Sequence, residues 1–360
     1  MKILIVTPAL LSGGTERYII NFAKIFSQHN DIDVAYYRSS SDSVKGELGQ
    51  YVNNIFAMPY YVKKPFSFFK KVKEMFVNGN YDYVYLHANH ALTILYSFPV
   101  WKNKKLTTKI LFHSHNSSGN QMFLHKIFRK LINKVCYKKY ACSISAGEYM
   151  YGNDDAYIIN NGVDLDKYSF NAETRDSLRK EHGLEGTIVF GHIGRFSKQK
   201  NHDFLIDIFN SIVQKNSNSR LFLIGQGELQ EEIKLKINQL GIDDKVIILD
   251  STDRAGDYYQ CFDVFLLPSL YEGLPFVGIE AQASGTPCLF SDVIPTDIAI
   301  TPLVNFLNLS DSADNWADKA LALYSENKAQ NDYSSEIIKK GFSIQYLIED
   351  YKNSGLDFGE

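Results

Sequence analysis

Short apolar runs alternate with amphipathic stretches along the first half of the chain. The run KILIVT ends before Pro8 and a glycine pair, and the stretch that follows, ERYIINFAKIFSQH, carries apolar residues at helical spacing. The alternation continues through further strand-like runs: DVAYY, DYVYLH, KILFHSH, YACSIS and YIINNG. Strands that alternate with helices predict parallel β-α-β units, and therefore a doubly wound sheet.

The pattern begins again after a polar, turn-rich segment, NNGVDLDKYSF. Beyond it, apolar runs predict further strands, with helical patterns between them: TIVFGHIG, RLFLIG, KVIILD, DVFLLPS and PCLFS. The chain has 360 residues, enough for two domains of ordinary size. We therefore predict an α/β protein with two Rossmann-like parallel-sheet domains, 1–165 and 166–340, which face each other across a cleft.

Composition and cysteine usage narrow the class of protein. Hydrophobic residues make up 45% of the chain and charged residues 22%, as in soluble globular proteins. The N-terminus lacks the layout of a signal peptide, and no stretch of the sequence reaches the ~20 apolar residues of a membrane-spanning helix. The four cysteines show no C-x-x-C spacing, which indicates buried thiols in a reducing compartment. We expect a cytoplasmic protein.

The net charge of −3 hides a difference between the two halves. Residues 1–165 contain 20 Lys and Arg against 11 Asp and Glu, whereas the remaining residues contain 18 against 30. Within the basic half, residues 62–76 and 123–140 combine lysines with apolar stripes, a pattern typical of helices that lie on anionic membranes. A packed helix with a solvated basic back is the alternative. We favour peripheral membrane contact by this half and expect no nucleic-acid partner.

Two glycine-rich turns follow predicted strands. Gly13 and Gly14 stand between the first strand and the first helix, where a backbone without side chains lets a phosphate or sugar approach. A plain tight turn is the alternative. Gly225 and Gly227 begin a dinucleotide fingerprint, but Gln230 stands in place of its third glycine. NAD binding is therefore disfavoured, and contact of Gly225 with a nucleotide base or ribose stays open.

Two further loops carry candidate ligand-binding side chains. Arg195 and Lys200 lie between a predicted strand and helix, where two cations suit a diphosphate, although a solvated basic loop has the same pattern. His113 and His115 end a predicted strand and point to one face of it. Two histidines at this spacing can bind a metal, but the sequence shows no third ligand nearby, so we predict no metal site. A hydrogen bond to a reacting group and a structural role remain as interpretations.

Residues 268–287, PSLYEGLPFVGIEAQASGTP, contain Glu272 and Glu280, separated by seven residues. Pro275 is expected at the first position of a helix that carries Glu280, with Glu272 in the loop before it. This segment resembles the E-x7-E signature of family 4 glycosyltransferases with the GT-B architecture. Four other motifs resemble those of the family in type and order: SGGTE, NGVD, GRFSKQKN and IGQGEL. The resemblance runs from residue 1 to at least 290 and is closest to enzymes of bacterial capsule and exopolysaccharide assembly.

The resemblance implies an activity and its partners. We expect a retaining, metal-independent hexosyltransferase that takes a sugar from a nucleotide diphosphate donor, a UDP-sugar, without a further cofactor. The expected acceptor is a polyprenyl-diphosphate-linked oligosaccharide at the inner face of the plasma membrane. The C-terminal SIQYLIEDYKN is similar to the family's last helices, so a helix at about 341–360 is expected to pack back on the first, acceptor-binding domain. The second domain is expected to bind the nucleotide sugar.

The resemblance also implies roles for individual residues. Glu280 matches the carboxylate that binds the ribose, and Glu272 and His115 match catalytic positions beside the donor sugar. Arg195 and Lys200 match the cations that neutralise the diphosphate. The remaining assigned positions are Gly273, Leu274, Pro275 and Phe276 at the donor sugar, Gly14 at the diphosphate, Gly225 at the base or ribose, and Gly13 and Glu16 in an acceptor or phosphate loop.

Two other functions share features with this pattern. Non-hydrolysing UDP-sugar 2-epimerases have the same architecture, but the basic amphipathic half speaks against a freely soluble enzyme. A non-catalytic nucleotide-sugar-binding subunit is a second alternative, and the full set of charged site candidates argues against it. Turnover of UDP-N-acetylglucosamine alone identifies the first alternative, and absence of donor hydrolysis favours the second.

Overall fold

The chain folds into two compact units. Unit 1 comprises Met1–Gly162 and Ile344–Glu360, and unit 2 comprises Val163–Ser343. The last segment of the chain thus belongs to the same unit as the first. The computed structural model describes residues 1–11, 13–59, 65–102, 107–116, 122–152, 155–250, 252, 254–326 and 331–359.

Each unit is built on a parallel sheet. In unit 1 the strand order is β3-β2-β1-β4-β5-β6-β7, and in unit 2 it is β10-β9-β8-β11-β12-β13. The strands are β1 Lys2–Thr7, β2 Asp31–Tyr36, β3 Asn54–Ala57, β4 Tyr83–Ala88, β5 Lys109–Ser114, β6 Lys138–Ala141, β7 Tyr157–Ile158, β8 Ile188–Ile193, β9 Ser219–Ile224, β10 Val246–Leu249, β11 Val264–Leu267, β12 Cys288–Ser291 and β13 Val304–Leu307.

Helices connect successive strands, as doubly wound sheets require. In chain order they are α1 Gly14–Phe26, α2 Asp42–Leu48, α3 Pro65–Gly79, α4 Phe98–Lys102, α5 Met122–Val135, α6 Ile144–Tyr151, α7 Leu165–Tyr168, α8 Ala172–Glu181, α9 His202–Lys215, α10 Gln230–Gln239, α11 Ala255–Cys261, α12 Phe276–Ala283, α13 Ala313–Glu326, α14 Ser334–Lys339 and α15 Tyr346–Asn353. Short 3-10 helices occur at Ala91–Ser97, Lys198–Lys200, Asp243–Lys245 and Thr296–Ile298. No helix among the described residues is both long and apolar enough to cross a membrane.

The central strands are buried on both faces, which explains their continuous apolar runs. In β11, Phe265 and Leu267 belong to one hydrophobic core, whereas Val264 and Leu266 belong to another. Because side chains alternate along a strand, the two cores lie on opposite faces of the unit 2 sheet. In this class of fold, ligands bind at the loops that follow the carboxyl ends of the strands.

The structure corrects several local predictions. The edge strands β3 and β13 were not predicted, because each is four residues long and includes an asparagine, Asn54 or Asn305, so its apolar run is short. The basic stretch 123–140 is not one helix, since α5 ends at Val135, and Lys138 and Lys139 begin β6. Pro275 is the N-cap of α12 and not its first helical residue. Residues 62–64 of the other basic stretch, and Ser12 of SGGTE, lie outside the described residues.

Candidate active site

Two loops at the carboxyl edge of the unit 2 sheet meet through an ion pair. Strands β8 and β11 are neighbours, and the loops that follow them carry Lys200 and Glu272. Lys200 Nζ lies 2.6 Å from Glu272 Oε1, and the two side chains are only 13% and 8% exposed. Gln199 Nε2 donates to the second carboxylate oxygen at 3.1 Å and to the Tyr271 carbonyl at 2.9 Å. Glu272 is therefore held in place by the loop that was predicted to bind a diphosphate.

Arg195, the other predicted diphosphate ligand, has a different environment. Its side chain is 61% exposed, and its guanidinium donates to Glu228 Oε2 at 3.1 Å. An exposed pair of this kind contributes little to stability and exchanges partners readily. The structure thus places Arg195 on the same loop as Lys200, but in an ion pair of its own.

The glycines at 225 and 227 have a packing role within unit 2. Gly225 adopts φ +150°, and a Cβ atom there would lie 2.1 Å from the Gly194 carbonyl oxygen. A Cβ on Gly227 would lie 2.3 Å from the Phe196 carbonyl oxygen. The two loops therefore pack backbone against backbone, which only glycine allows. This packing accounts for both glycines without a nucleotide, and the base or ribose contact of Gly225 stays a prediction.

Glu280 lies on α12 and is almost fully buried. Tyr259 donates its hydroxyl hydrogen to Glu280 Oε2 at 2.9 Å. Burial, and then the neighbouring carboxylate, hold the pKa of Tyr259 well above its ordinary value, so the hydroxyl keeps its proton. Tyr259, which the sequence did not indicate, thus orients the predicted ribose ligand.

The segment between the two glutamates offers backbone rather than side chains. The side chains of Leu274 and Phe276 are buried, and Pro275 caps α12. Gly273 has no side chain. Main-chain groups at the start of α12 are therefore what this segment can present to a ligand. The assignment of residues 273–276 to the donor sugar stays a prediction.

Gln282, on the same helix, braces the loop after β12. Its Nε2 donates to the carbonyls of Gly278 and Ile298, both at 2.8 Å. Its Oε1 accepts from the backbone N–H groups of Ile300 and Thr301 and from the Thr301 hydroxyl at 2.9–3.1 Å. The buried amide is thus fully bonded, and it couples α12 to the segment that follows Ser291.

Two buried histidines lie behind Lys200. His192, on β8, donates from Nδ1 to the Leu266 carbonyl oxygen at 2.8 Å, so Nδ1 carries the proton. Its Nε2 has no hydrogen-bond partner among the described residues. His202 begins α9 and stacks on Phe196 at 4.2 Å. Burial lowers the pKa of His192 to about 3 and that of His202 to about 2, and both are neutral at pH 7. No motif in the sequence indicated a role for either residue.

In unit 1 the predicted glycine loop leads directly into α1. Gly13 is the N-cap, with an extended backbone, and Gly14 is the first helical residue. A Cβ on Gly13 would lie 2.7 Å from Glu16 Oε2, so the Glu16 carboxylate folds back over the start of the helix. A carboxylate already occupies the position where the helix N-terminus favours an anion. A phosphate at this loop would have to displace it.

Three histidines cluster at the carboxyl ends of β4 and β5. His87 and His113 are paired in register, and His87 Nδ1 lies 2.8 Å from His115 Nε2. The rings stack, with centroids 4.3–5.5 Å apart. Burial lowers the pKa of His115 to about 3, and burial together with the neighbouring imidazoles holds the pKa of His87 and His113 well below the ordinary value. His87 is the third imidazole that sequence analysis did not connect with the other two.

A chain of buried tyrosines supports this cluster from behind. Tyr85 OH lies 2.8 Å from His113 Nδ1 and hydrogen-bonds the hydroxyl of Tyr351 on α15. Tyr351 OH also lies 2.7 Å from Tyr18 OH, and the Tyr18 ring packs against all three imidazoles. The C-terminal helix therefore completes the polar network beneath the histidines.

Comparison with known proteins agrees with this architecture. The family model of glycosyl transferases group 1 matches residues 174–340, and that of glycosyltransferase family 4 matches residues 12–167. EpsF of Bacillus subtilis (strain 168), which carries the name of a glycosyltransferase, is 27% identical over 365 residues, 96% of this chain and 94% of EpsF. An Escherichia coli protein named UDP-Gal:alpha-D-GlcNAc-diphosphoundecaprenol alpha-1,3-galactosyltransferase is 28% identical over 208 residues, 56% of this chain and 54% of that protein.

The crystal structure of Anabaena Alr3699/HepE in complex with UDP and glucose superposes with a TM-score of 0.82. The alignment covers 98% of this chain and 99% of that one at 18% identity, which shows a shared fold. One family model matches residues in unit 1 and the other matches residues in unit 2. Each unit is built on a parallel sheet. These findings agree on the family of the chain. The chain belongs to the group 1 and family 4 glycosyltransferases, which have the GT-B fold.

Proposed function

We propose that this glycosyltransferase moves a hexose from a UDP-sugar to a polyprenyl-diphosphate-linked glycan, with retention of the anomeric configuration. Capsule or exopolysaccharide assembly is the process that it serves. The observation that carries the proposal is the Lys200–Glu272 pair at the carboxyl ends of β8 and β11, with Glu280 on the helix that follows. The donor and acceptor classes are supported by the name of the E. coli relative and by the UDP and glucose of the Anabaena structure.

Unit 2 binds the donor through its two cations. Cleavage of a sugar–phosphate bond builds negative charge on the leaving diphosphate, and fixed cations stabilise that charge. Lys200 exchanges Glu272 for a phosphate oxygen, while Arg195 leaves its exposed pair with Glu228. Protein cations carry the charge in this scheme, so the transfer needs no metal ion. Loss of one such group costs on the order of 10²-fold in rate.

The remaining groups position the sugar and the ribose. Glu280, oriented by Tyr259, accepts hydrogen bonds from the ribose hydroxyls. Glu272, once released from Lys200, faces the donor sugar together with the main chain of 273–276. Unit 1 binds the acceptor, with Gly13 and Glu16 in its acceptor or phosphate loop. Gly14 contacts the donor diphosphate, and His115 contacts the reacting sugar.

Affinity for UDP tests the donor site. We expect calorimetric titration to show UDP binding weakened about 10- to 100-fold by Lys200→Ala or Arg195→Ala, the equivalent of one charge-assisted hydrogen bond. Lys215→Ala is the matched control, because this lysine lies at the opposite end of α9 and pairs with Asp314 and Asp318. Unchanged affinity in both site variants would remove the diphosphate assignment.

The reaction itself distinguishes the alternatives. The protein is incubated with a UDP-sugar and a lipid-diphosphate-linked saccharide, and the product is analysed by NMR. The spectrum shows whether the donor sugar was transferred and which anomeric configuration the new linkage has. Inversion of the configuration contradicts the retaining mechanism. Conversion of UDP-N-acetylglucosamine without an acceptor identifies a 2-epimerase instead, and binding without turnover identifies a non-catalytic subunit.

An apolar surface on unit 1 supports contact with the membrane. The apolar surface of α3 and α5, formed by Phe66, Phe69, Phe123, Leu124 and Ile127, is exposed, with Phe66 at 92% and Phe123 at 77%. Both helices bury their other side in the same hydrophobic core and therefore lie on one face of the sheet. Lysines flank the exposed residues on both helices: Lys70, Lys71, Lys73, Lys126, Lys130 and Lys134. Apolar side chains among lysines suit an anionic lipid surface at the inner face of the plasma membrane.

Vesicle flotation tests the membrane contact. We expect the protein to float with anionic vesicles at low salt, and the double variant Phe66→Ser with Phe123→Ser to remain in the soluble fraction. Leu235→Ser is the control, because Leu235 is an exposed apolar residue of unit 2. Equal flotation of the double variant and the control contradicts the assignment of this surface.

A further inference from the structure

The geometry of the histidine cluster points to a metal site that the proposed transfer reaction does not use. We propose that His87, His113 and His115 together bind a transition-metal ion of the zinc type, and that the bound ion inhibits transfer by occupying His115. The binding stands on the geometry of unit 1 alone. The inhibition rests, in addition, on the proposed role of His115 in the reaction.

Proximity is the first argument for the site. Within the part of the chain that the structure describes, this is the one group of three His, Cys, Asp or Glu residues whose ligand atoms all lie close enough, within 4.8 Å of one another. Zinc–nitrogen bonds measure about 2.0–2.1 Å, so the nitrogens must close by roughly 1–1.5 Å around an ion. Closure on an ion therefore requires the stacked rings to rotate about their Cβ–Cγ bonds.

Two ring nitrogens without hydrogen-bond partners provide the second argument. His87 Nε2 and His113 Nε2 are both buried, and neither has a hydrogen-bond partner among the described residues. A buried polar atom without a partner is unfavourable, and native structures usually satisfy it with water or an ion. Two such atoms on neighbouring strands, beside a third imidazole, give an ion three ligands.

The surroundings of His113 are the third argument. Metal-ligating histidines almost always use their other ring nitrogen in a hydrogen bond that fixes the ring. His113 Nδ1 has such a partner in Tyr85 OH at 2.8 Å, and Tyr85 is itself bonded to Tyr351. His113 therefore resembles a metal-ligating histidine: Tyr85 holds Nδ1, and Nε2 is left to bind the ion.

The ligand set selects the kind of metal. Imidazole nitrogens suit Zn²⁺, Cu²⁺, Ni²⁺ and Co²⁺, whereas Mg²⁺, Ca²⁺ and Mn²⁺ prefer carboxylate and carbonyl oxygens. The group contains three imidazoles and no carboxylate. Three histidines leave one position of a tetrahedral ion open for water or an anion. His115 is only half-buried, so the site is not sealed from solvent.

Cobalt provides a direct measurement of the site. Full-length protein, stripped with EDTA, is titrated with Co²⁺ while its visible absorption is recorded, and Zn²⁺ is then added as a competitor. We expect one equivalent of Co²⁺ to give the intense bands of a tetrahedral site, and Zn²⁺ to abolish them. Absence of saturable Co²⁺ binding in the wild-type protein overturns the proposal. This experiment contains no donor or acceptor, so its result is independent of the proposed function.

His113→Asn tests the assigned ligand. The Asn amide can still hydrogen-bond Tyr85, as His113 Nδ1 does. Asn has no atom that replaces Nε2, the proposed metal ligand. We expect its Co²⁺ affinity to fall at least about tenfold, and that of His29→Asn, an exposed histidine outside the cluster, to stay at the wild-type value. Circular dichroism and thermal unfolding check the fold of each variant. If His113→Asn does not fold, His115→Asn at the half-buried position provides the same test, and wild-type affinity in the folded variant overturns the ligand set.

Enzyme assays then test the inhibition. We expect Zn²⁺ to inhibit the wild-type protein, EDTA to restore its activity, and His113→Asn to lose the sensitivity to Zn²⁺. Inhibition of equal strength in wild type and His113→Asn contradicts a role for this site. Saturable Co²⁺ binding without inhibition supports the metal site and overturns only the inhibitory role.

Discussion

Lys200 and Glu272 form a nearly buried ion pair between neighbouring loops of unit 2, with Nζ and Oε1 2.6 Å apart. From the sequence, Lys200 was assigned to the donor diphosphate and Glu272 to the donor sugar. In the structure each is the other's counter-ion, and Gln199 fixes the second oxygen of the carboxylate. If the proposed donor site is right, the donor has to separate the two charges that hold these loops together.

The stability of unit 2 should depend on this pair. Replacement Lys200→Met leaves the Glu272 carboxylate buried without its cation, which we expect to lower the free energy of unfolding by about 3–5 kcal/mol. The double variant Lys200→Met with Glu272→Gln should lose less, because no unpaired charge remains. Urea unfolding of the three proteins measures both effects.

Arg195→Ala is the matched comparison for that experiment. Its ion pair with Glu228 is exposed, so the change in unfolding free energy should stay below about 1 kcal/mol. Equal destabilisation by Lys200→Met and Arg195→Ala would contradict the distinction between a buried and an exposed pair.

The hydrogen bond from Tyr259 to Glu280 gives a second prediction. Tyr259→Phe leaves a buried carboxylate oxygen without its donor, and we expect a loss of about 1–3 kcal/mol in unfolding free energy. The proposed role of Glu280 at the ribose predicts that affinity for UDP falls as well, because the carboxylate loses the hydrogen bond that orients it. Tyr258→Phe, on the same helix, is the control and should bind UDP as the wild type does. Thermal unfolding and calorimetry measure the two properties.

Gln282 gives a third prediction, on stability alone. Gln282→Met keeps the approximate volume of the side chain but removes all its hydrogen bonds, to groups on α12 and on residues 298–301. Since several buried donors and acceptors lose their partner, we expect the unfolding free energy to fall by about 3–5 kcal/mol. The exposed Gln239→Met should change it by no more than about 0.5 kcal/mol. A similar small change for both would show that water replaces the Gln282 amide.

His202 gives a prediction on pH. Burial lowers its pKa from 6.5 to about 2, so below pH 6.5 the unfolded chain binds a proton that the folded chain does not. Stability from this residue is complete above pH 6.5 and is lost as the pH falls toward 2, by about 1.4 kcal/mol per pH unit. His202→Leu should flatten the acid side of the stability curve between pH 6.5 and 4, whereas the exposed His29→Leu should leave the slope as in the wild type. Urea unfolding at a series of pH values measures it.

The sequence was sufficient for the features that depend on periodicity. Long apolar runs such as KILIVT and DVFLLPS predicted central strands correctly, because burial on both faces leaves a continuous apolar signal. The same logic missed β3 and β13, because each has only four residues and one of them is an asparagine, which shortens the apolar run. The glutamates at 272 and 280 could be singled out from their spacing, because both lie in one local segment, a loop followed directly by a helix.

Features that depend on residues far apart in the sequence could not be predicted. His87 and His113 are neighbours only because β4 and β5 pair in register, and no local pattern marks that pairing. The partner of Glu272 is equally remote, since Lys200 lies on a different loop. Conversely, the sequence around Gly225 suggested a ligand-binding turn. In the structure, the backbone of Gly194 occupies the space that a side chain at position 225 would need.

The return of residues 344–360 to unit 1 has a consequence for synthesis of the protein. Unit 2 is continuous, so it can fold while the ribosome is still adding residues. Unit 1 cannot be completed until Tyr351 has left the exit tunnel, because the hydroxyls of Tyr18 and Tyr85 bond to it. The half of the chain that is made first is therefore the half that finishes folding last.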